Sequence, residues 1–288
     1  PWGDLTGIRP TKIPMKLLEE GWKNTEIARY MRETYGVSNE KTALAITIAN
    51  REKALLQDLD YENGYSLYVG IPFCPSICLY CSFGSHPLER WTKRVDEYLD
   101  TLCKELTFIR EQMGARKLTT VYIGGGTPTT LEPEQLRRLL SHIQETFDFT
   151  WVKEYTVEAG RPDSITKEKL QVMKEFPVTR ISVNPQTMNQ KTLDVIGRKH
   201  TVEDTVNIFH MARELGFDNI NMDLIIGLPG EGKEEVAHTL QEVENLHPDS
   251  LTIHSLALKR ATRLNLFKDK YEEMSFENSQ EIMEMTQQ

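Results

Sequence analysis

No stretch of this 288-residue chain approaches the ~18 consecutive apolar residues that a membrane-spanning helix needs. There is no low-complexity segment and no excess of positive charge. Lys and Arg number 34 against 43 Asp and Glu, a formal net charge of -9 with a sequence pI near 5.4. That acidic balance argues against general affinity for nucleic acid or an anionic membrane surface, so neither is an expected partner. Cysteine is scarce: of four, Cys74, Cys78 and Cys81 cluster and Cys103 stands alone. A secreted disulfide framework would spread an even set through a short chain, so the cluster points to a metal site in a reducing compartment, with a cytoplasmic location expected. The ends lack an initiator methionine, a signal-peptide pattern and, over Ser275–Gln288, any Gly or Pro to stop an amphipathic helical pattern. The sequence therefore reads as a piece of a longer protein.

What is present is the composition of a globular enzyme, 39% hydrophobic and 27% charged. The length suits one large α/β core with an appendage, because single cores stop growing near roughly 250–300 residues. Residues 1–64 carry helical periodicity at Ile13–Leu18, Thr25–Tyr35 and Lys41–Leu56, with Ile27, Tyr30 and Met31 on one face of the second. Asn24 or Thr25 is the expected cap of that second helix, Gly36 its stop, and Ser38 or Asn39 the cap of the third.

From Tyr65 the texture becomes short apolar runs alternating with amphipathic helices. Expected strands are Ser66–Ile71, Thr119–Ile123, Glu154–Glu158, Val178–Val183, Asn219–Ile226 and Ser250–His254. Expected helices are Trp91–Gln112, Pro133–Thr146, Lys167–Lys174, Asn189–Ile196, Val202–Leu215 and Glu234–Leu246. This order predicts a parallel sheet or barrel of six βα units, an α/β fold with a helical N-terminal segment over 1–64, a core over 65–258 and the start of a C-terminal region over 259–288. Cys74, Gly124–Thr127, Glu158, Asn184–Gln186, Asp223–Gly230 and His254 fall where successive strands end. In a parallel barrel those ends share the rim that carries catalytic sites.

The strongest motif is the loop Cys74-Pro75-Ser76-Ile77-Cys78-Leu79-Tyr80-Cys81 directly after the first strand. Thiolates are soft ligands for iron–sulfur clusters or zinc. A cubane ordinarily takes four cysteines, so three would leave one iron open to a chelating ligand. A zinc site with His86 as fourth ligand is the alternative reading. Gly124-Gly125-Gly126-Thr127 lets backbone approach a ligand closely but lacks the spacing of a dinucleotide fingerprint. Glu158 and Asp223 offer carboxylates, Gln186 an amide, and Arg198 a guanidinium whose fork matches a carboxylate.

The CxxxCxxC loop after the first strand of a βα array resembles the radical S-adenosylmethionine (SAM) superfamily. The phrases Ile71–Cys74, Gly124–Thr129, Asn184–Thr187 and Met222–Gly230 resemble its oxygen-independent coproporphyrinogen III dehydrogenase family, and Pro1–Lys12 with His254–Leu256 resembles the HemZ branch. The resemblance implies a partial (βα)6 barrel and a 4Fe–4S cluster on Cys74, Cys78 and Cys81 with SAM at its open iron. It places Tyr68 as a candidate catalytic residue and Gly125, Gly126, Thr127, Glu158, Gln186, Arg198 and Asp223 in the SAM site. The activity implied is oxidative decarboxylation of coproporphyrinogen III propionates to vinyl groups through a 5′-deoxyadenosyl radical. The implied partners are a tetrapyrrole substrate and an electron donor such as a flavodoxin or ferredoxin. Arg161, Lys259, Arg260 and Arg263 are the cations expected to meet propionates. The chain departs from the family in having Gly70 where a histidine usually stands and Phe83 where a fourth cysteine does. A heme-binding chaperone, and radical methyl transfer or heme ring opening on the same scaffold, therefore remain alternatives.

Overall fold

The computed structural model describes residues 1–5, 9–57, 59–60, 62–260, 262–266, 282, 285 and 286. The chain divides into two compact units, Pro1–Gly64 and Tyr65–Gln288. Part of the Pro1–Lys12 phrase and most of the expected helix over Ser275–Gln288 lie outside the described residues.

The N-terminal unit holds α1 (Lys12–Glu19), α2 (Asn24–Tyr35) and α3 (Asn39–Leu56). Ile27 and Met31, one turn apart, are fully buried against Ala45 and Ala49 of α3, which is why the helical spacing was legible. Gly36 ends α2 in the left-handed conformation, and the Ser38 hydroxyl caps α3 by accepting from Lys41 N at 3.4 Å. The expected Asn24 or Thr25 cap is corrected. Both residues are already helical, and the Lys23 amide instead donates to the Glu26 carboxylate at 2.8 Å.

The second unit is a curled six-stranded parallel half-barrel. Its strands are β1 (Gly64–Ile71), β2 (Lys117–Gly125), β3 (Glu154–Gly160), β4 (Arg180–Val183), β5 (Ile220–Ile226) and β6 (Ser250–Ser255), each beside its predecessor. Parallel neighbours need a long crossover, and helices supply it: α4 (Val95–Met113), α5 (Pro133–Thr146), α6 (Lys167–Lys174), α7 (Gln190–Val195), α8 (Val202–Glu214) and α9 (Lys233–Leu246). α5 shows the logic. Pro133 suits the first turn, where no amide donor is needed, and Leu136, Leu139, Leu140 and Ile143 bury one stripe. Each such leucine contributes about 1.5–3 kcal/mol by leaving water. The expected helix from Trp91 begins later, because Arg94 keeps a non-helical φ of -114 and short 3-10 turns precede α4. A four-residue helix, α10 (Arg263–Leu266), follows β6. Among the described residues no helix is long and apolar enough to cross a membrane.

Candidate functional site

At the C-terminal ends of the strands the rim encloses a cavity of about 330 Å³. Cys74, Cys78, Cys81, Gly125, Gly126, Thr127, Glu158, Gln186, Arg198 and Asp223 all line it. Ten of the eleven sequence-chosen positions are thereby brought together. Tyr68 lies on an adjoining cavity of about 610 Å³ that shares Gly125, Gly126 and Glu158 with the first. The residue is 63% exposed, and its ring stacks on Tyr122 with centroids 5.7 Å apart.

The glycines are steric necessities of the cysteine loop. Gly126 N donates to Ile71 O and Thr127 N to Phe73 O, both at 2.7 Å, which knits the end of β2 onto the chain entering Cys74. A side chain on Gly126 would put its Cβ 2.6 Å from Phe73 O, and Gly125 holds φ +104. The Thr127 hydroxyl reaches the Cys74 sulfur at 3.5 Å.

Cys74 and Cys78 are buried and Cys81 is half-buried, all as free thiols. His86, the candidate fourth ligand of a zinc site, packs its ring against Trp91 at 5.0 Å. In a cubane each thiolate would bind a different iron, so three cysteines in one loop suit it.

Gln186 adopts a left-handed φ of +71, a conformation that costs a non-glycine residue about 1–3 kcal/mol. Two ladder bonds hold it there: Gln186 N donates to Asp223 O at 3.0 Å, and Ile225 N donates to Gln186 O at 2.9 Å. Asp223 thus sits three residues inside β5 rather than at its end, and it accepts from Asn221 Nδ2 at 2.7 Å. Buried Arg198 donates to Asn184 O and, at 3.2 Å, to the Tyr80 hydroxyl. Among the described residues its Nε has no partner, nor do the buried Gln186 Oε1 and Asn184 Oδ1. Two acceptors and one cationic donor, desolvated and unpaired around one cavity, make a polar ligand the natural complement. Glu158 is pushed up to about 7, by burial first and then by Asp223, while the Gly125 amide opposes the shift.

Arg161 lines the cavity as expected of a rim cation, but it is 3% exposed and its guanidinium is forked onto Asp163 at 2.9 and 2.6 Å, so its charge is largely committed within the protein. Lys259 does line the cavity, whereas exposed Arg260 and Arg263 do not. Sequence reasoning missed Tyr80 and His200. His200 is fully buried, neither ring nitrogen has a partner among the described residues, and burial together with Arg198 holds its pKa down at about 4, hence neutral. Nothing local marked either residue beyond proximity to Cys78 and Arg198.

A family model described as the radical SAM superfamily matches residues 68–243. The oxygen-independent coproporphyrinogen-III oxidase-like protein HemZ of Bacillus subtilis is 43% identical over 98% of this chain and 57% of its own length. The heme chaperone HemW of the same organism is 38% identical over 68% of this chain and 52% of its own. The structure of Escherichia coli coproporphyrinogen III oxidase (HemN) superposes with a TM-score of 0.69 at 29% identity, covering 81% of this chain and 54% of that one. The chain spans about half the length of these relatives. The cysteine loop on the rim of a six-stranded parallel half-barrel, and a superfamily match running through most of that unit, agree: the chain belongs to the radical SAM superfamily, among its HemN- and HemZ-like members.

Proposed function

We propose that the half-barrel carries a 4Fe–4S cluster on Cys74, Cys78 and Cys81 with SAM beside it, and that it serves oxidative decarboxylation of coproporphyrinogen III propionates to vinyl groups. The observation that carries the reading is the cavity lined by the three thiols together with Gln186, Asn184 and Arg198, whose Oε1, Oδ1 and Nε have no partner among the described residues. Together, a bound cluster and SAM supply reductive cleavage chemistry that yields a hydrogen-abstracting radical.

The chain's own residues supply binding and orientation. Arg198 offers its free N–H to the SAM carboxylate, a charge-assisted bond strengthened by burial. Glu158 and Asp223 accept from the amino and ribose donors. The half-buried, side-chain-free strip at Gly125 and Gly126 leaves room for backbone contact, and Gln186 offers its amide from a backbone fixed by β5. Tyr68, on the adjoining cavity, faces the substrate side. A low-potential electron donor of the flavodoxin or ferredoxin type, a tetrapyrrole substrate and a cytoplasmic location complete the proposal. The names of the HemZ and HemN relatives support the substrate class.

A second reading, a chaperone that delivers heme, draws support from the 38% identity to HemW and from Phe83 in place of a fourth cysteine. Anaerobic incubation with SAM, dithionite and coproporphyrinogen III separates the two. Carbon dioxide release and vinyl products support decarboxylation; stoichiometric heme binding without SAM consumption supports the chaperone and overturns it.

A further inference from the structure

Arg161 is a buried cation on the wall of the same cavity, and the SAM contacts proposed above do not call on it. Its Nη1 donates to Ser76 O and Ser76 Oγ, both at 2.9 Å, and to the Cys78 sulfur at 3.7 Å. Nε and Nη2 are committed to the Asp163 carboxylate, whose side chain is 15% exposed. Because guanidinium is planar and rigid, the fork onto Asp163 fixes the direction in which Nη1 points. Ser76 is held from a second side, its hydroxyl donating to Gly197 O at 3.1 Å, and Leu79 N donates to Ile196 O at 2.9 Å. The middle of the cysteine loop is thus pinned between the end of β3 and the segment leading to Arg198. Pinning alone would need only the Ser76 contacts. The third bond, to sulfur, places a buried positive charge against one thiolate.

Hydrogen bonds to the sulfurs and the local net charge are two of the levers that set an iron–sulfur potential. An N–H···S bond from a cation favours whichever state holds more negative charge, the reduced one. We propose that Arg161, aimed by Asp163, is a positioning residue that fixes Cys78 and raises the reduction potential of the cluster. The proposal rests on the cluster reading above. The couple involves one electron, taken from dithionite in the test. No bond forms or breaks at Arg161, and no proton moves there.

The two partners carry opposite charges, so their removal has opposite consequences. Losing the guanidinium lowers the potential. Losing the Asp163 charge while Ser76 still holds Arg161 raises it. A merely structural role would move both variants the same way.

The experiment uses the full chain, anaerobically reconstituted, with iron counted first and the potential then read by mediator titration followed by electron paramagnetic resonance. In Arg161→Met the reduced-to-oxidised ratio at fixed ambient potential should fall at least tenfold, about 59 mV for one electron. Asp163→Asn should shift the ratio upward, and Arg161→Lys, which keeps the charge without the fork, should lie between Arg161→Met and wild type. Unchanged potentials with iron retained, or shifts of both variants in one direction, overturn the proposal. If Arg161→Met loses its iron, Asp163→Asn decides: an upward shift supports the proposal, and no shift or a downward one overturns it. A wild type that takes up no iron overturns the functional reading, and this proposal with it. Iron-loaded variants with unmoved potentials defeat this proposal alone.

Discussion

The cavity wall that carries Cys74, Cys78, Arg161 and Arg198 is buried and cross-linked by hydrogen bonds, whereas the wall formed by Phe83, His254 and Lys259 faces solvent, with Phe83 71% exposed. On the first wall, positions are over-determined. Ser76 meets Arg161 and Gly197, Arg198 meets Asn184 and Tyr80, and Gly126 leaves no room for a side chain. On the second, side chains have space to move. Rigid preorganisation suits a ligand of fixed shape that must be held in one geometry, and an open wall suits a bulkier molecule that enters and leaves.

The sharpest way to break the contrast is to remove the thiols. Cys74→Ala, Cys78→Ala and Cys81→Ala should each abolish retention of about four irons per chain after anaerobic reconstitution, because no spare cysteine adjoins the loop. Cys103→Ala, in α4, should leave the iron content intact. Iron retention in any of the three loop variants would contradict the rigid-wall reading.

Next in size are Arg198→Ala and Glu158→Ala, which should weaken SAM binding while sparing the cluster. Hydrogen bonds to charged groups are worth about 1.5–3 kcal/mol, roughly a ten- to hundred-fold loss of affinity by anaerobic calorimetry. Unchanged affinity in both variants would remove these residues from the site.

Glu158 also gives the rigid wall a pH signature. Its pKa rises from 4.5 to about 7 on folding, chiefly by burial and secondarily through Asp223. A carboxyl raised in this way stabilises the fold fully below its unfolded pKa and loses that contribution as pH climbs through the folded one. The Tm of the cofactor-free wild type, relative to Glu158→Gln, should therefore fall between about pH 4 and about pH 8. A difference that stays flat across this range would place the titrating group elsewhere.

The smallest effects belong to the open wall. Neutralising exposed Lys259 with Arg260 should weaken porphyrinogen binding by no more than about 1 kcal/mol per charge, since water and salt screen such groups. SAM cleavage without substrate should be unaffected. An equal loss of SAM cleavage and porphyrinogen binding would erase the distinction between the walls.

Much of the half-barrel was legible because its signals are local. Pro133 and the spacing of Leu136, Leu139, Leu140 and Ile143 mark α5 at the residues where the helix lies, and apolar runs between glycines mark the strands. The site was less evenly legible. Gly125, Gly126 and Thr127 follow the second strand closely enough that their neighbourhood with Cys74 could be inferred from topology. The strand expected over Asn219–Ile226 matches β5 to within one residue, yet Asp223, expected with the rim residues, lies at its middle. Arg161 does line the cavity, but its burial and its fork onto Asp163 were not legible, since a carboxylate two residues away says nothing about whether the pair is buried.

The sequence by itself determined the order of the βα units and the three-thiol loop, because periodicity, turn chemistry and thiolate softness are properties of short segments. Tertiary structure alone decided that Arg161 spends its charge on Asp163 and the Cys78 sulfur, that Gln186 takes a left-handed backbone to bridge β5, and that Arg198 keeps one donor free beside two unpaired acceptors. Those outcomes depend on desolvation and on contacts between residues far apart in the chain, where a side chain's role is set by what surrounds it.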